Sequence, residues 1–515
     1  MTKATHPQSF SETLLNLPLF LLLVGIASLS MYVPASYALA LDDHADARTF
    51  FYAGTMGLII VSLISIAMGG RRGVHGVLGQ LLSLFATFSV LPALLAIPFY
   101  YALQTTSYLN AYFEMVSAIT TTGATMFEDP ARLSGALHLW RAQVGWMGGL
   151  LMWIAASAIL APLNLGGFEV TAKAQPGRIS YAGGDRVGRS DPRRRLVRIT
   201  GALFPIYGGL TIVLWIMLLI GGDNSLVALS HAMSVMATSG ISPIGGVQNG
   251  SSGISGEMVM FLFMLFALSR LTFSTDTVTT GARGILTDPE FRIGLALVLI
   301  IPSLLFARHW LGALEMREGD DISLALGAFW GAMFTVMSFL TTTGFQSAEW
   351  DTAQMWSGLG TPGLILMGLA LIGGGVATTA GGVKLLRVFA LYLQGLREME
   401  KLVHPSSVAG RVRKGVRIQR GGAYIAWIFF MLFALSLAFV TVVLAALGVD
   451  FENALVLSIA ALSTTGPLIE SASEVPVQLV DLTPWAKRVL CAAMVLGRLE
   501  TLAIIALLTP DLWRS

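Results

Sequence analysis

A chain of 515 residues that is 55% hydrophobic and only 12% charged is excluded from the soluble globular class, where about a quarter of residues carry charge. A mean hydropathy of +0.72 shows that lipid-compatible residues replaced the missing charge. The net charge of +2 gives no support to nucleic acid as a partner, and the lone Cys491 excludes an internal disulfide and a cysteine metal cage.

From the N-terminus, MTKATHPQSF SETLLNLPLF leads into a long apolar run without a short h-region and A-x-A cleavage site, which reads as an uncleaved first span. Crossing a bilayer takes about 20 apolar residues. Ten stretches meet that length, near 14–38, 49–69, 76–101, 142–163, 200–221, 256–275, 291–307, 361–395, 421–447 and 484–508. Four further stretches, 108–122, 226–239, 326–343 and 452–465, are too short or polar to span and too apolar for ordinary loops. They are expected to be re-entrant, and non-helical backbone at that depth must be buried or line a water-filled cavity.

Lys and Arg set the orientation. Arg71–Arg72, the segment Lys173 to Arg198 and the segment Arg397 to Arg420 are expected on the cytoplasmic side, with 41–47 and 318–321 outside. Ten spans then leave both termini in the cytoplasm. The two basic segments read first as topology signals, and secondarily as docking surfaces for a cytosolic partner or anionic lipid.

Four short tracts recur: TTTGA at 120–124, ATSGI at 237–241, TTTGF at 341–345 and STTGP at 463–467. Their glycines, Gly123, Gly240, Gly344 and Gly466, are 117, 104 and 122 residues apart, which is a domain repeat. The fold class expected is an all-α integral membrane protein with four pseudo-symmetric helix/pore-helix/helix repeats around one pore. The division is an N-terminal two-helix extension at 1–74 and repeats at 75–185, 186–285, 286–405 and 406–515.

A single such tract is most often a helix end or a packing device. Four at near-equal spacing, each after a half-helix and before a span, favour a shared role. Thr121, Thr122 and Gly123, Thr238, Ser239 and Gly240, Thr342, Thr343 and Gly344, and Thr464, Thr465 and Gly466 offer carbonyl and hydroxyl oxygens. Glycine admits backbone angles that other residues resist, so carbonyls can face a common axis and replace a cation's hydration shell. Each half-helix would add the negative end of its dipole. Glu114, nine residues before Gly123, reads as a buried partner for backbone or hydroxyl groups rather than an ion ligand, and Glu349 and Glu470 follow the third and fourth glycines.

The stretch GGGVATTAGG at 373–382 holds five glycines in ten residues, each costing about 1 kcal/mol relative to alanine in a helix. The eighth span is expected to break there into a loop below the third tract, which could obstruct the path and move. Gly373, Gly374, Gly375, Gly381, Gly382, Lys384 and Arg498 form the candidate gate, with Arg498 donating to carbonyls of the loop. Intramembrane charges face a cavity or a partner; Arg270 in the sixth span would do similar work or snorkel.

The seven histidines, His138 and His231 included, are scattered without metal spacing and read as packed residues. No nucleophile–base set is present, and the glycine tract lacks G-K-[ST], so no enzyme activity is expected. A secondary symporter coupling the transported cation to sodium or protons is the alternative, since broken helices occur there, but four parallel-sense units with one broken helix fit a conduit better.

FEMVSAITTTGATMF (113–127), MFTVMSFLTTTGFQSAEW (333–350), GGGVATTAGGVKLLRV (373–388) and LGRLE (496–500) resemble the TrkH-type membrane subunits of the Trk/Ktr/HKT superfamily of potassium transporters. The resemblance covers essentially the whole chain. It implies a bacterial inner-membrane homodimer with one pore per subunit, potassium as the transported ion, no covalently bound cofactor, and control by a cytosolic TrkA-type nucleotide-binding subunit. It also implies that glycine in every filter goes with potassium, where serine in the first repeat accompanies sodium. Ala237–Ser239 and Gly466–Pro467 depart from the other two tracts.

Overall fold

The computed structural model describes residues 17–68, 77–161, 192–269, 288–312, 322–358, 360–403, 420–473 and 477–499. Among these every regular element is helical. The N-terminal part is α1 (Leu19–Ser30), α2 (Tyr32–Ala40) and α3 (His44–Ala67). Asp43 starts α3 by accepting the Asp46 amide at 3.2 Å, which satisfies one of the donors left open at a helix N-terminus.

The first repeat contains α4 (Val77–Ser89), α5 (Leu91–Leu103), the short α6 (Tyr108–Ile119) and α7 (Gly135–Ala155), which runs on through a π turn to Leu160. Ser107 caps α6 and Ser134 caps α7, each hydroxyl accepting an amide at 3.3 Å. The second repeat is α8 (Pro192–Ile220), α9 (Ser225–Ala237) and α10 (Gly253–Met264). The third is α11 (Pro289–Gly312), α12 (Ile322–Leu340), α13 (Trp350–Ser357), α14 (Pro362–Ile372) and α15 (Leu385–Val403). The fourth is α16 (Arg420–Ala446), α17 (Phe451–Ser463), α18 (Leu468–Ala472) and α19 (Pro484–Leu499).

Among the described residues eight helical runs are long and apolar enough to cross a membrane, taking α1 with α2 and α4 with α5 and including α12, or nine if α13 and α14, bent by 118°, count as one span. The ten expected spans differ from this in three places. The sixth is the shorter Gly253–Leu268, the eighth is split as its glycines require, and the tenth is described only to Leu499. The third stretch, expected to be too short to span, is instead one of the eight by length and composition: ISLALGAFWGAMFTVMSFL contains no proline, so α12 forms 19 residues of continuous helix. Arg270 and most of both basic segments lie outside the described residues.

Helices meet where glycines remove bulk. A methyl group on Gly148 of α7 would lie 2.0 Å from the Ile119 carbonyl oxygen, and one on Gly497 of α19 would lie 2.3 Å from that of Leu462. Ile119 and Leu462 each stand four residues before their repeat's tract glycine. The same contact is therefore made twice, and it seats the second helix of a repeat directly against the end of its short helix.

Candidate functional site

The four helices that lead into the tracts, α6, α9, α12 and α17, end in one backbone motif. Thr121, Thr238, Thr342 and Thr464 all take a left-handed conformation, with φ of 55°, 51°, 58° and 54°. The next residue's amide then reaches back five positions: Thr122 to Ser117, Ser239 to Ser234, Thr343 to Ser338 and Thr465 to Ala460, at 2.8–3.0 Å. This is the Schellman cap, which usually places glycine at the left-handed position. Threonine there costs roughly 1–2 kcal/mol, and such strain gathers at functional sites.

Glycine is also left-handed at 123, 240 and 344, but not at 466. The sequence points to glycine as the seat of the unusual backbone; the structure puts it on the preceding threonines as well and omits it from the fourth glycine. The reason at Gly466 is packing: its amide donates to the Thr122 carbonyl at 2.5 Å, and a methyl group there would lie 2.0 Å from the Ala124 nitrogen.

Hydroxyls fix each bend. Thr120 bonds Thr122 at 2.8 Å, Thr341 bonds Thr343 at 3.1 Å and Ser463 bonds Thr465 at 3.2 Å, hydroxyl to hydroxyl. The second tract has Ala237 in the first of these places, and Ser234 takes over, 3.2 Å from Ser239. Seven of the eleven hydroxyls in these tracts are therefore taken up within the bends. The left-handed threonines differ, for the Thr121 and Thr464 hydroxyls are buried with no hydrogen-bond partner.

The four tracts touch in chain order and close on themselves. Methyl groups built on Gly123, Gly240 and Gly344 would meet Ser239 O at 1.8 Å, Thr343 O at 2.4 Å and Pro467 at 3.0 Å, and Gly466 lies against Gly123 and Ala124. First meets second, second meets third, third meets fourth and fourth meets first. All twelve tract residues named from the sequence are thereby brought together.

At the glycine end of this ring is a cavity of about 340 Å³, lined by all four glycines with Glu128, Arg141, Gln346, Pro467 and Glu470. Burial pushes the Glu470 carboxyl above its usual range, with the nearby Glu128 charge adding and Arg141 opposing. Glu349 does not reach the cavity; it precedes α13 and packs against Gly327 and Gly331 of α12. The extended segments leaving the ring are held by buried polar groups. Glu114 accepts the Met126 amide at 3.0 Å and pairs with Arg141 at 2.6 Å. His231 bonds the Ser242 hydroxyl at 2.9 Å. Glu257 accepts from Trp330, the Ser347 hydroxyl and the Ala348 amide at 2.8, 2.6 and 2.7 Å. Glu257 was open to sequence reasoning as an acidic residue in an apolar run, but its sequence distance from the third tract hides its partner. His138, 2.9 Å from the Pro130 carbonyl, is a packed residue in the first turn of α7.

At the threonine end lies the loop 373–384. Gly373 ends α14 at φ 71°, and a methyl group there would lie 2.2 Å from Gly381 O. The loop folds on itself: Val383 and Lys384 amides donate to Leu371 and Ile372 carbonyls at 2.9 Å. It is tied to every neighbour that faces it. Gly375 donates to Ala267 O at 2.9 Å, Val376 to Glu290 at 3.2 Å, and the Thr379 hydroxyl to Met236 O at 3.2 Å. Gly381 donates to the Thr342 hydroxyl at 2.7 Å. Arg498 Nη1 donates to Thr379 O at 2.7 Å, and Lys384 Nζ donates to Ala380 O. The candidate gate residues are therefore assembled directly against the ring. Arg387, one helical turn into α15, is fully buried with its guanidinium 3.6 Å from the Phe429 ring centroid; its place in an apolar span was the signal for it.

Such an arrangement has the chemistry of an ion path: neutral oxygens, helix C-termini aimed at a ring, and a strained loop across one end. Among the described residues no group of three His, Cys, Asp or Glu is placed to hold a metal ion. The chain is similar throughout to known proteins. It is 29% identical to the Trk system potassium uptake protein TrkH of Vibrio parahaemolyticus, with 96% of this chain and 98% of that one aligned. It is 31% identical to TrkH of Halomonas elongata over 79% and 80% of the two chains. The crystal structure of the potassium transporter TrkH from V. parahaemolyticus superposes with a TM-score of 0.81 at 26% identity, over 97% of this chain and 99% of that one. The model of the TrkH family, described as cation transport protein, matches residues 82–513, and the chain belongs to that family.

Proposed function

We propose that this chain takes up potassium across a bacterial inner membrane through a gated, channel-like pore. The closed ring of four tracts is the observation that carries this reading, since one polypeptide brings four hydroxyl- and carbonyl-bearing segments into contact with one another in a closed circuit. Thr121–Gly123, Thr238–Gly240, Thr342–Gly344 and Thr464–Gly466 form the filter in this reading. Neutral oxygens bind a dehydrated monovalent cation weakly enough for it to leave. The loop from Gly373 to Lys384 is the gate, and Arg498 holds it closed through the Thr379 carbonyl. Potassium as the cargo is supported by the names of the relatives and by glycine in all four repeats.

The basic segments favour both termini in the cytoplasm, and in this reading the same segments supply the face for a TrkA-type nucleotide-binding subunit on a homodimer. The purified chain reconstituted in planar bilayers tests the reading. Currents reversing near the potassium equilibrium potential under mixed potassium and sodium gradients support it. Electroneutral flux with a fixed sodium or proton stoichiometry replaces it with a symporter.

A further inference from the structure

The four left-handed threonines occupy equivalent places at the inner end of the ring, yet their hydroxyls are used differently. Those of Thr121 and Thr464 are buried without a hydrogen-bond partner, that of Thr238 donates to the Ala237 carbonyl at 2.7 Å, and that of Thr342 accepts the Gly381 amide of the loop at 2.7 Å. A buried hydroxyl left unpaired costs about 1–3 kcal/mol, so a place where two of four equivalent hydroxyls are open is suited to a ligand that takes several oxygens at once. The loop already holds one member of that set.

We infer that a monovalent cation at the inner threonine ring and the Gly381 amide compete for the Thr342 hydroxyl, so that ion occupancy and loop position are coupled. This rests on the filter and gate reading above. The electrostatics are simple: an amide proton and a cation both seek the same oxygen lone pairs, and with both present two positive centres would be crowded in a buried, weakly screened space. The loop is also pressed on the fourth tract, where a methyl group on Gly381 would lie 2.1 Å from Ser463 O and 2.3 Å from the Thr464 hydroxyl. An inner cation therefore meets the loop on two sides of the ring. By linkage the effect is reciprocal: filling the inner ring loosens the loop, and docking the loop weakens the inner ring's hold on the ion. Thr342 is in this scheme a positioning residue for the gate as well as a lining residue of the path.

Hydrogen–deuterium exchange on the intact chain in detergent tests this without a variant, comparing potassium with N-methylglucamine at equal ionic strength, alongside thermal unfolding in the same buffers. The expected result is a rise in unfolding temperature with potassium together with about fivefold faster exchange of the Gly381 amide, the equivalent of one neutral hydrogen bond. If potassium raises the unfolding temperature and leaves Gly381 exchange unchanged, the coupling is overturned and the filter reading stands. If potassium changes neither, both are overturned. In bilayers, Thr342→Val should raise open probability at low potassium and flatten its dependence on potassium concentration, while Thr342→Ser restores both. An equal flattening by Thr121→Val would overturn the specific role of Thr342.

Discussion

The first and third repeats carry the same TTTG and fold it into nearly the same bend, with left-handed Thr121 and Thr342, matching amide bonds to Ser117 and Ser338, and paired hydroxyls on either side. What stands behind the bend differs. In the first repeat α7 passes unbroken, its Gly148 pressed on the end of α6; in the third, helix stops at Gly373 and a loop fills the space. The bend is thus a local property of Thr and Gly after a helix, whereas what lies beneath it is decided by a separate segment some thirty residues later. One repeat shows how the ring is built, and the other shows what a broken helix sets against it.

Four changes sharpen or break this contrast. The largest effect is expected for Glu114→Gln on the rigid side. Arg141 would keep a buried charge without its carboxylate, and breaking such a pair costs about 3–5 kcal/mol. Thermal or denaturant unfolding should show that loss, while a change under about 1 kcal/mol would mean the pair does not hold the first repeat. Next is Arg498→Ala on the side of the loop. Losing one charge-assisted hydrogen bond to the loop, worth about 1.5–3 kcal/mol, should raise open probability roughly tenfold or more in single-channel records with the potassium-to-sodium preference unchanged; unaltered gating removes the role of Arg498.

Gly123→Ser follows. A side chain there adds left-handed strain and meets the Ser239 carbonyl, so the potassium-to-sodium flux ratio should fall by about tenfold, from strain and overpacking of about 1–3 kcal/mol. Equal ratios in both proteins would remove the first tract from the selectivity machinery. The smallest effect belongs to the cavity. Because burial raises the Glu470 carboxyl above its usual range, it gains a proton at a higher pH than an exposed glutamate. Inward current at low potassium should therefore decrease as pH falls through that raised value, by about twofold for the loss of one partly screened charge, and Glu470→Gln should show the reduced current at every pH.

The repeat, the four tracts and the broken helix were legible in the sequence because each leaves a local mark: spacing, a hydroxyl run, five glycines in ten residues. Arg498 was legible as a charge in an apolar span, and so was its type of partner, since a buried guanidinium needs oxygens. The closing contacts were not legible. Gly123 against Ser239 and Gly381 against Thr342 join segments far apart in the chain, and nothing in either segment names the other. The left-handed threonines were missed for another reason: propensity assigns that conformation to glycine, and here the helix-end cap holds threonine in it.

Because the ring is drawn from one gene rather than assembled from identical subunits, a single codon alters one quarter of it and leaves three quarters as they were. Each quadrant is thus free to differ on its own: Ala237 lacks the hydroxyl its counterparts carry, Pro467 leans on two neighbouring glycines, and among the described residues the third quadrant is the one with a glycine-rich loop set against it. A homotetramer, obliged to repeat every change four times, has no route to such division of labour.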